Sequence, residues 1–281
     1  MFEKTVKANG SDSGPERFPS LRRSGQIALQ VLLRLGAGVL DQLYPPACVH
    51  CAAVTGQPDV LCPSCWSRLR PITRPLCPVM GVPFGYDLGE GALSARAIAD
   101  PPPFARARSA VVHNQVARTL VSRLKFGDRP ELAKFCARLM VVSGQELFGP
   151  VEGEGSAPVL VPVPLHRFRH WQRRYNQSGL LAREVARQSG LTCMEGLVRR
   201  TRPTRPQIGL NARQRARNVR GAFAVHGDLL ARLEGRPVII VDDVITTGST
   251  VGAISRVLNR AGVARVDVLS FSRVVIGADD G

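Results

Sequence analysis

The thirteen residues Val238-Ile239-Ile240-Val241-Asp242-Asp243-Val244-Ile245-Thr246-Thr247-Gly248-Ser249-Thr250 decide the reading of the whole chain. Four consecutive β-branched residues read as a strand buried on both faces, as in a parallel sheet covered by helices. Two carboxylates follow at the strand's carboxyl end, where open α/β sheets bind their ligands. Hydroxyls gathered around Gly248 come next, and the pattern predicts a helix over 251–260. Backbone amides of the 246–250 turn and the new helix N-terminus form a cradle for phosphate. This is not a Walker loop, because no Gly-Lys-Ser/Thr is present. An ordinary strand-loop-helix whose threonines only cap the helix is the competing reading. It leaves the paired acids without a reason, and paired acids at a strand end are electrostatically costly without a ligand or cation.

Outward from this segment, helix and strand patterns alternate. Helices are predicted over 116–125 and 130–147, a strand over 159–163, and a helix over 176–189 with Leu180, Leu181, Val185 and Ala186 on one face. A short strand is expected around Phe223 and another over 266–271. The alternation points to an α/β fold with a parallel sheet flanked by helices, over about 104–275. The 281 residues, 44% of them hydrophobic, are ample for such a core. Residues 150–158 read as a surface loop, and no internal repeat is evident.

The amino-terminal part is organised differently. Residues 1–25 are polar and mixed in charge, and are expected to be a disordered tail. Residues 26–45 read as an amphipathic helix; Arg34 and Asp41 interrupt its apolar run, which is too short to span a bilayer. No secretory signal is recognisable, so a cytoplasmic protein is expected. Residues 46–85 are rich in Cys, Pro and Arg. Within them Cys48 and Cys51 form one Cys-x-x-Cys pair and Cys62 and Cys65 a second, ten residues on. Two such knuckles supply four thiolates to a tetrahedral ion, so structural zinc is expected here ahead of disulfides. A module this small has little core of its own, and the metal would supply much of its folding energy. His50 is not needed to complete four ligands. Cys136 and Cys193 read as small buried hydrophobes.

The charge is lopsided: 38 basic against 22 acidic residues give +16. Between His166 and Arg220 there are fourteen arginines, two glutamates and no lysine or aspartate, a net of +12. Guanidinium groups match phosphate oxygens, so this block points to phosphate or nucleic acid. A solvated basic face without a ligand is the alternative.

The acid pair followed by a hydroxyl loop resembles the phosphoribosyl pyrophosphate (PRPP) signature of type I phosphoribosyltransferases. Joined to a four-cysteine zinc knuckle, it resembles the ComF family of ComFC-like competence proteins. Other stretches carry the same resemblance in order: Leu124-Lys125-Phe126-Gly127-Asp128; Val161-Pro162-Val163-Pro164 followed by Arg173, Tyr175, Asn176 and Gln177; and Thr204, Gln207, Leu210, Arg215, Asn218, Ala222 and Phe223. It covers about residues 46–275. Two positions depart from the family pattern. A further Cys-x-x-Cys is common after the knuckles, but Cys77 is followed by Met80, which leaves Cys48, Cys51, Cys62 and Cys65 as the ligand set. Arg174 stands where the family's Arg-Gly-Phe-Asn-Gln block has glycine.

The resemblance implies that Asp242 and Asp243 fix the ribose, directly or through a metal-bound water. Thr246, Thr247, Gly248, Ser249 and Thr250 would bind the 5′-phosphate, and Pro164, Leu165, His166 and Arg167 would form the pyrophosphate loop. Residues 204–218 would take the place of a mobile loop, with Arg215 acting on the leaving group, and magnesium would accompany PRPP. Lys125 reads either as a ligand or as an ordinary solvated lysine. Family association with DNA uptake also implies single-stranded DNA and a helicase as partners. Two functions therefore stand side by side. One is a phosphoribosyltransferase-type enzyme of unidentified acceptor; the other is a non-catalytic single-stranded DNA-binding module. The acid pair favours the first and the +12 block the second, although 5% aromatic content is thin for a base-stacking platform.

Overall fold

The computed structural model describes residues 45–126, 129–150, 156–165, 175–202 and 212–275. The expected tail and amphipathic helix lie outside these residues. From Pro46 onward the chain forms one body. Its first helices are α1 (Pro63–Arg68) and α2 (Ala95–Ala99), followed by β1 (Ala107–Val112), α3 (Gln115–Phe126) and α4 (Leu132–Gly144). Then come β2 (Val159–Pro162), α5 (Gln177–Ser189), β3 (Thr192–Cys193), β4 (Val198–Arg200) and α6 (Ala212–Val219). β5 (Phe223–Val225), α7 (Gly227–Ala231), β6 (Val238–Ile245), α8 (Ser249–Arg260) and β7 (Val266–Arg273) complete the order.

Five strands form a sheet in the order β1-β7-β6-β2-β3, with every neighbouring pair parallel. Side chains alternate between its faces. Leu160, Ile239, Val241, Leu269 and Phe271 pack with α3, α4 and α5 on one side. Val159, Val161, Val238, Ile240, Val266 and Val268 pack with α8 and the β4–β5 hairpin on the other. Burial on both faces is why β2 and the first half of β6 read as unbroken apolar runs.

Three features differ from the sequence reading. The β6 strand does not stop at Val241: pairing with β7 continues through Asp242↔Ser270, Val244↔Ser272 and Ile245↔Arg273. Pairing with β2 ends at Val241↔Pro162, so the two acids lie beyond the shorter neighbour. The Phe223 strand belongs to a separate antiparallel hairpin with β4. And β1, which the sequence reading does not include, has its apolar run broken by Ser109 and by Arg108, which is buried with an ion pair to Glu146 and a hydrogen bond of 2.8 Å to the Pro78 carbonyl.

Two short modules precede the sheet and repeat one backbone pattern at an offset of 29 residues. In the first, Cys48 N donates to Ala53 O (2.7 Å), Ala52 N to Cys48 O (3.0 Å) and Thr55 N to Pro46 O (2.7 Å). In the second, Cys77 N donates to Val82 O (2.9 Å), Gly81 N to Cys77 O (2.8 Å) and Phe84 N to Pro75 O (2.9 Å). The β-bridges Ala47↔Val54 and Leu76↔Pro83 match in the same way. The fifth residue of each turn has a positive φ, 62° at Ala52 and 64° at Gly81. Each turn then faces the start of a helix: Cys62, at the N-cap of α1, donates its N–H to Cys48 Sγ (3.2 Å), and Ser94, at the N-cap of α2, donates to Cys77 Sγ (3.4 Å).

Both modules fasten to the outer side of β1. Ile72 N donates to Ala110 O (3.0 Å), Val112 N to Arg70 O (2.8 Å) and Ala107 N to Val79 O (2.8 Å). The buried side of the first module joins the α3–α4 face of the core, and that of the second joins the α8 face.

Candidate functional site

The first module brings Cys48, Cys51, Cys62 and Cys65 together, with all four sulfurs within 4.8 Å of one another and Cys51 Sγ 3.6 Å from Cys62 Sγ. Tetrahedral zinc with Zn–S bonds near 2.3 Å needs sulfurs about 3.8 Å apart, so the set fits structural zinc. Backbone N–H groups of His50 (3.4 Å) and Cys62 (3.2 Å) point at Cys48 Sγ, and Arg68 Nη2 lies 3.4 Å from Cys65 Sγ. Burial would raise the Cys48 thiol, but N–H groups of Cys51, Cys62 and His50 outweigh it and bring the pKa to about 6. Such donors stabilise thiolate charge around a metal. His50 Nδ1 sits 3.2 Å from Cys65 Sγ, outside the ligand set.

The corresponding positions of the second module are Cys77, Met80, Ser94 and Ala97. Three of the four lack a thiolate, so the residues there do not fit zinc. Cys77, Met80 and Ala97 are buried hydrophobic-core members instead.

At the carboxyl edge of the sheet, β6 carries the acid pair into the 246–250 turn. Asp242 Oδ1 accepts from Ser178 Oγ (3.0 Å) on α5 and from the Asp243 N–H (2.9 Å). Burial, and then the charge of Asp243, raise the Asp242 carboxyl to about 7. Asp243 is buried and pairs with Lys125 Nζ, from the last turn of α3, at 2.8 Å. The turn closes on itself through Thr247 Oγ1 and Ser249 Oγ (2.7 Å). Gly248 holds φ at 74° and caps α8, a conformation that glycine adopts without strain. The first turn of α8 presents the positive end of a twelve-residue helix to this edge, and its Ser249 N–H donates to Thr247 Oγ1 (3.4 Å). Arg96, from α2, donates through Nη2 to the Thr247 carbonyl.

The structure thus brings Asp242, Asp243 and the turn Thr246, Thr247, Gly248, Ser249 and Thr250 to one edge. Pro164 and Leu165, both half-buried, follow β2 at the same edge, whereas His166 and Arg167 lie outside the described residues. Arg215 falls on α6, but its side chain also lies outside them. The 212–218 part of the expected mobile loop is helical, within α6. Ser178 and Arg96 escaped the sequence reading. Ser178 sits on a predicted helix without any local mark, and Arg96 is reached only through the second module. Cys136 is fully buried as expected, while Cys193 is half-buried on β3. No helix among the described residues is long and apolar enough to cross a membrane.

Fold and site together define an α/β protein with a parallel sheet, an acid pair followed by a hydroxyl-rich turn at its edge, and an amino-terminal four-cysteine zinc centre. A sequence profile of the double zinc ribbon domain matches residues 39–98. The chain is 34% identical over 215 residues to DNA utilization protein YhgH of Escherichia coli K12, covering 76% of this chain and 91% of that relative. Identity to competence protein F of Haemophilus influenzae is 33% over 156 residues (55% and 66%). Identity to competence protein ComFC of Bacillus subtilis is 26% over 228 residues (77% and 84%). The chain belongs to the ComF family of competence and DNA utilization proteins.

Proposed function

We propose that the sheet-edge site binds PRPP or a related phosphosugar, in a protein that serves DNA uptake or utilization. The observation that carries this reading is the acid pair next to the anion-type turn. Asp242 is poised by Ser178 and Asp243 by Lys125, one turn from the start of α8. A phosphate alone gains nothing from two carboxylates; a phosphorylated sugar gains acceptors for its ribose hydroxyls and donors for its phosphate. In a phosphoribosyl transfer Asp242 and Asp243 would orient the sugar, the 246–250 amides would hold the 5′-phosphate, and positioning would lower the barrier. Magnesium, when bound with the ligand, supplies neutralisation of the pyrophosphate charge. Asp242, near neutrality in its titration, is the group such a cation would draw into its ionised form. Titration of PRPP with magnesium into the zinc-loaded protein tests this reading. Micromolar, magnesium-dependent binding that vanishes in Asp242→Asn/Asp243→Asn supports it, and undiminished binding in the folded double variant overturns it.

A second reading, single-stranded DNA binding beside a helicase partner, is favoured by a separate observation. Arg199 and Arg202 at the β4–β5 hairpin and Arg217 and Arg220 at α6 are all exposed, and Arg202 reaches the Arg220 carbonyl. Counterion release makes such binding fall steeply with salt. An affinity for oligonucleotide that is flat between 50 and 200 mM salt would remove it.

A further inference from the structure

The double zinc ribbon match reaches residue 98, yet only the first ribbon carries a zinc set. The second keeps the shape without the ligands. Its turn repeats that of the first bond for bond, and Met80, Ser94 and Ala97 fill the places of Cys51, Cys62 and Cys65. A metal-free ribbon is retained here in a particular position. Its helix α2 delivers Arg96 to the 246–250 turn, and its turn supplies the Met80 carbonyl to Arg273.

Arg273 stands opposite Ile245 in the β6–β7 register, one residue before the turn begins. It is 3% exposed, and its Nε has no hydrogen-bond partner among the described residues. Burial, followed by repulsion from Arg96 among the neighbouring charges, lowers its pKa to about 10. Arg96 thus touches the turn while Arg273, held on the Met80 carbonyl, lies close enough to repel it, and the acid pair on β6 has Lys125 as its own cation. Arg96 is exposed and pairs with no carboxylate among the described residues; Nη2 is tied to Thr247 O, and its other N–H groups have no protein partner there. An anion in the turn would relieve the repulsion between the two arginines and occupy those N–H groups.

Resting on the phosphosugar reading above, we propose that the second ribbon has exchanged its metal for a ligand-binding task. Arg96 is the side-chain ligand of the phosphate held by the 246–250 turn, and Arg273 is the buried cation behind it. The site then recognises a phosphate monoester dianion, with amides on one side and a guanidinium fork on the other.

The test uses the zinc-loaded full chain and two probes, inorganic phosphate and magnesium-PRPP, titrated into wild type, Arg96→Ala and Arg96→Lys. Thermal melts confirm that the variants fold, as expected for a change on an exposed helix surface. Arg96→Ala is expected to lose roughly ten- to a hundredfold in affinity for both probes, with Arg96→Lys between it and wild type. Affinities within twofold of wild type for both variants overturn the role of Arg96 while leaving the phosphosugar reading intact. Wild type that binds phosphate in an Arg96-dependent way but ignores PRPP overturns the phosphosugar reading and supports Arg96 as the anion ligand. Wild type that binds neither probe overturns both.

Discussion

Lys125 Nζ lies 2.8 Å from Asp243 Oδ2 and ties the last turn of α3 to the central strand. The lysine side chain is 25% exposed and the aspartate 10%, so removing the cation strands a carboxylate away from water. Lys125→Met is expected to lower stability by about 1–3 kcal/mol at pH 7, read by urea denaturation. Lys125→Arg should recover part of that loss. An unchanged midpoint in the methionine variant would mean that the pair contributes nothing to the fold.

The acid next to it predicts a pH dependence. The Asp242 carboxyl is raised to about 7, well above the roughly 3.9 of an unfolded aspartate. The folded state holds this proton more tightly, so the stability it contributes is fully present below about pH 4 and is lost as pH rises toward 7. Asp242→Asn should therefore flatten the stability curve over that interval and be more stable than wild type at pH 8 by about 1–3 kcal/mol, allowing for partial solvent screening. Parallel curves for the two proteins would contradict the raised pKa.

Metal analysis of the purified chain should give one zinc per molecule. Cys65→Ser should release it and unfold the first ribbon, since zinc binding in such modules amounts to roughly 10–16 kcal/mol of folding energy. Met80→Cys with Ser94→Cys and Ala97→Cys would complete a thiolate set around Cys77 and should raise the content toward two. Two zincs in the unaltered chain would refute the metal-free second ribbon.

Gly81 is the tightest point of that ribbon. At φ 64° an added Cβ would lie 2.1 Å from the backbone carbonyl oxygen of Ala107, which cannot move without dislodging β1. Gly81→Ala is expected to cost about 2–4 kcal/mol through strain and overpacking. Gly85→Ala, where a Cβ meets nothing within 4 Å, serves as the neutral comparison in the same thermal melt.

What the sequence disclosed follows from how each signal is encoded. The β6 run, its acids and the 246–250 turn are contiguous and chemically distinctive, so both their place in the sheet and their shared edge could be read directly. The first zinc set was legible for the same reason, as four cysteines at a fixed spacing. β1 was hidden because its burial depends on Arg108 finding Glu146 and the Pro78 carbonyl, partners that no local pattern announces. The ribbon repeat was hidden because three of its four ligand positions have changed. Cys48 and Cys77, the proline two residues before each, the following turn, and the leucines Leu61 and Leu93 remain in common. Ser178 and Arg96 reach the site through tertiary packing alone.

The attachment of both ribbons to the outer side of β1 has a consequence beyond the site. The hydrogen bonds from Ile72 and to Arg70 and Val79 engage main-chain groups that would otherwise face solvent along a bare strand. A bare strand of this kind is a template for pairing with another chain. Zinc in the first ribbon is therefore expected to help keep the edge of β1 covered where Arg70 and Ile72 bond to it. Chelation should be followed by concentration-dependent light scattering, as freed β1 strands from separate molecules find one another.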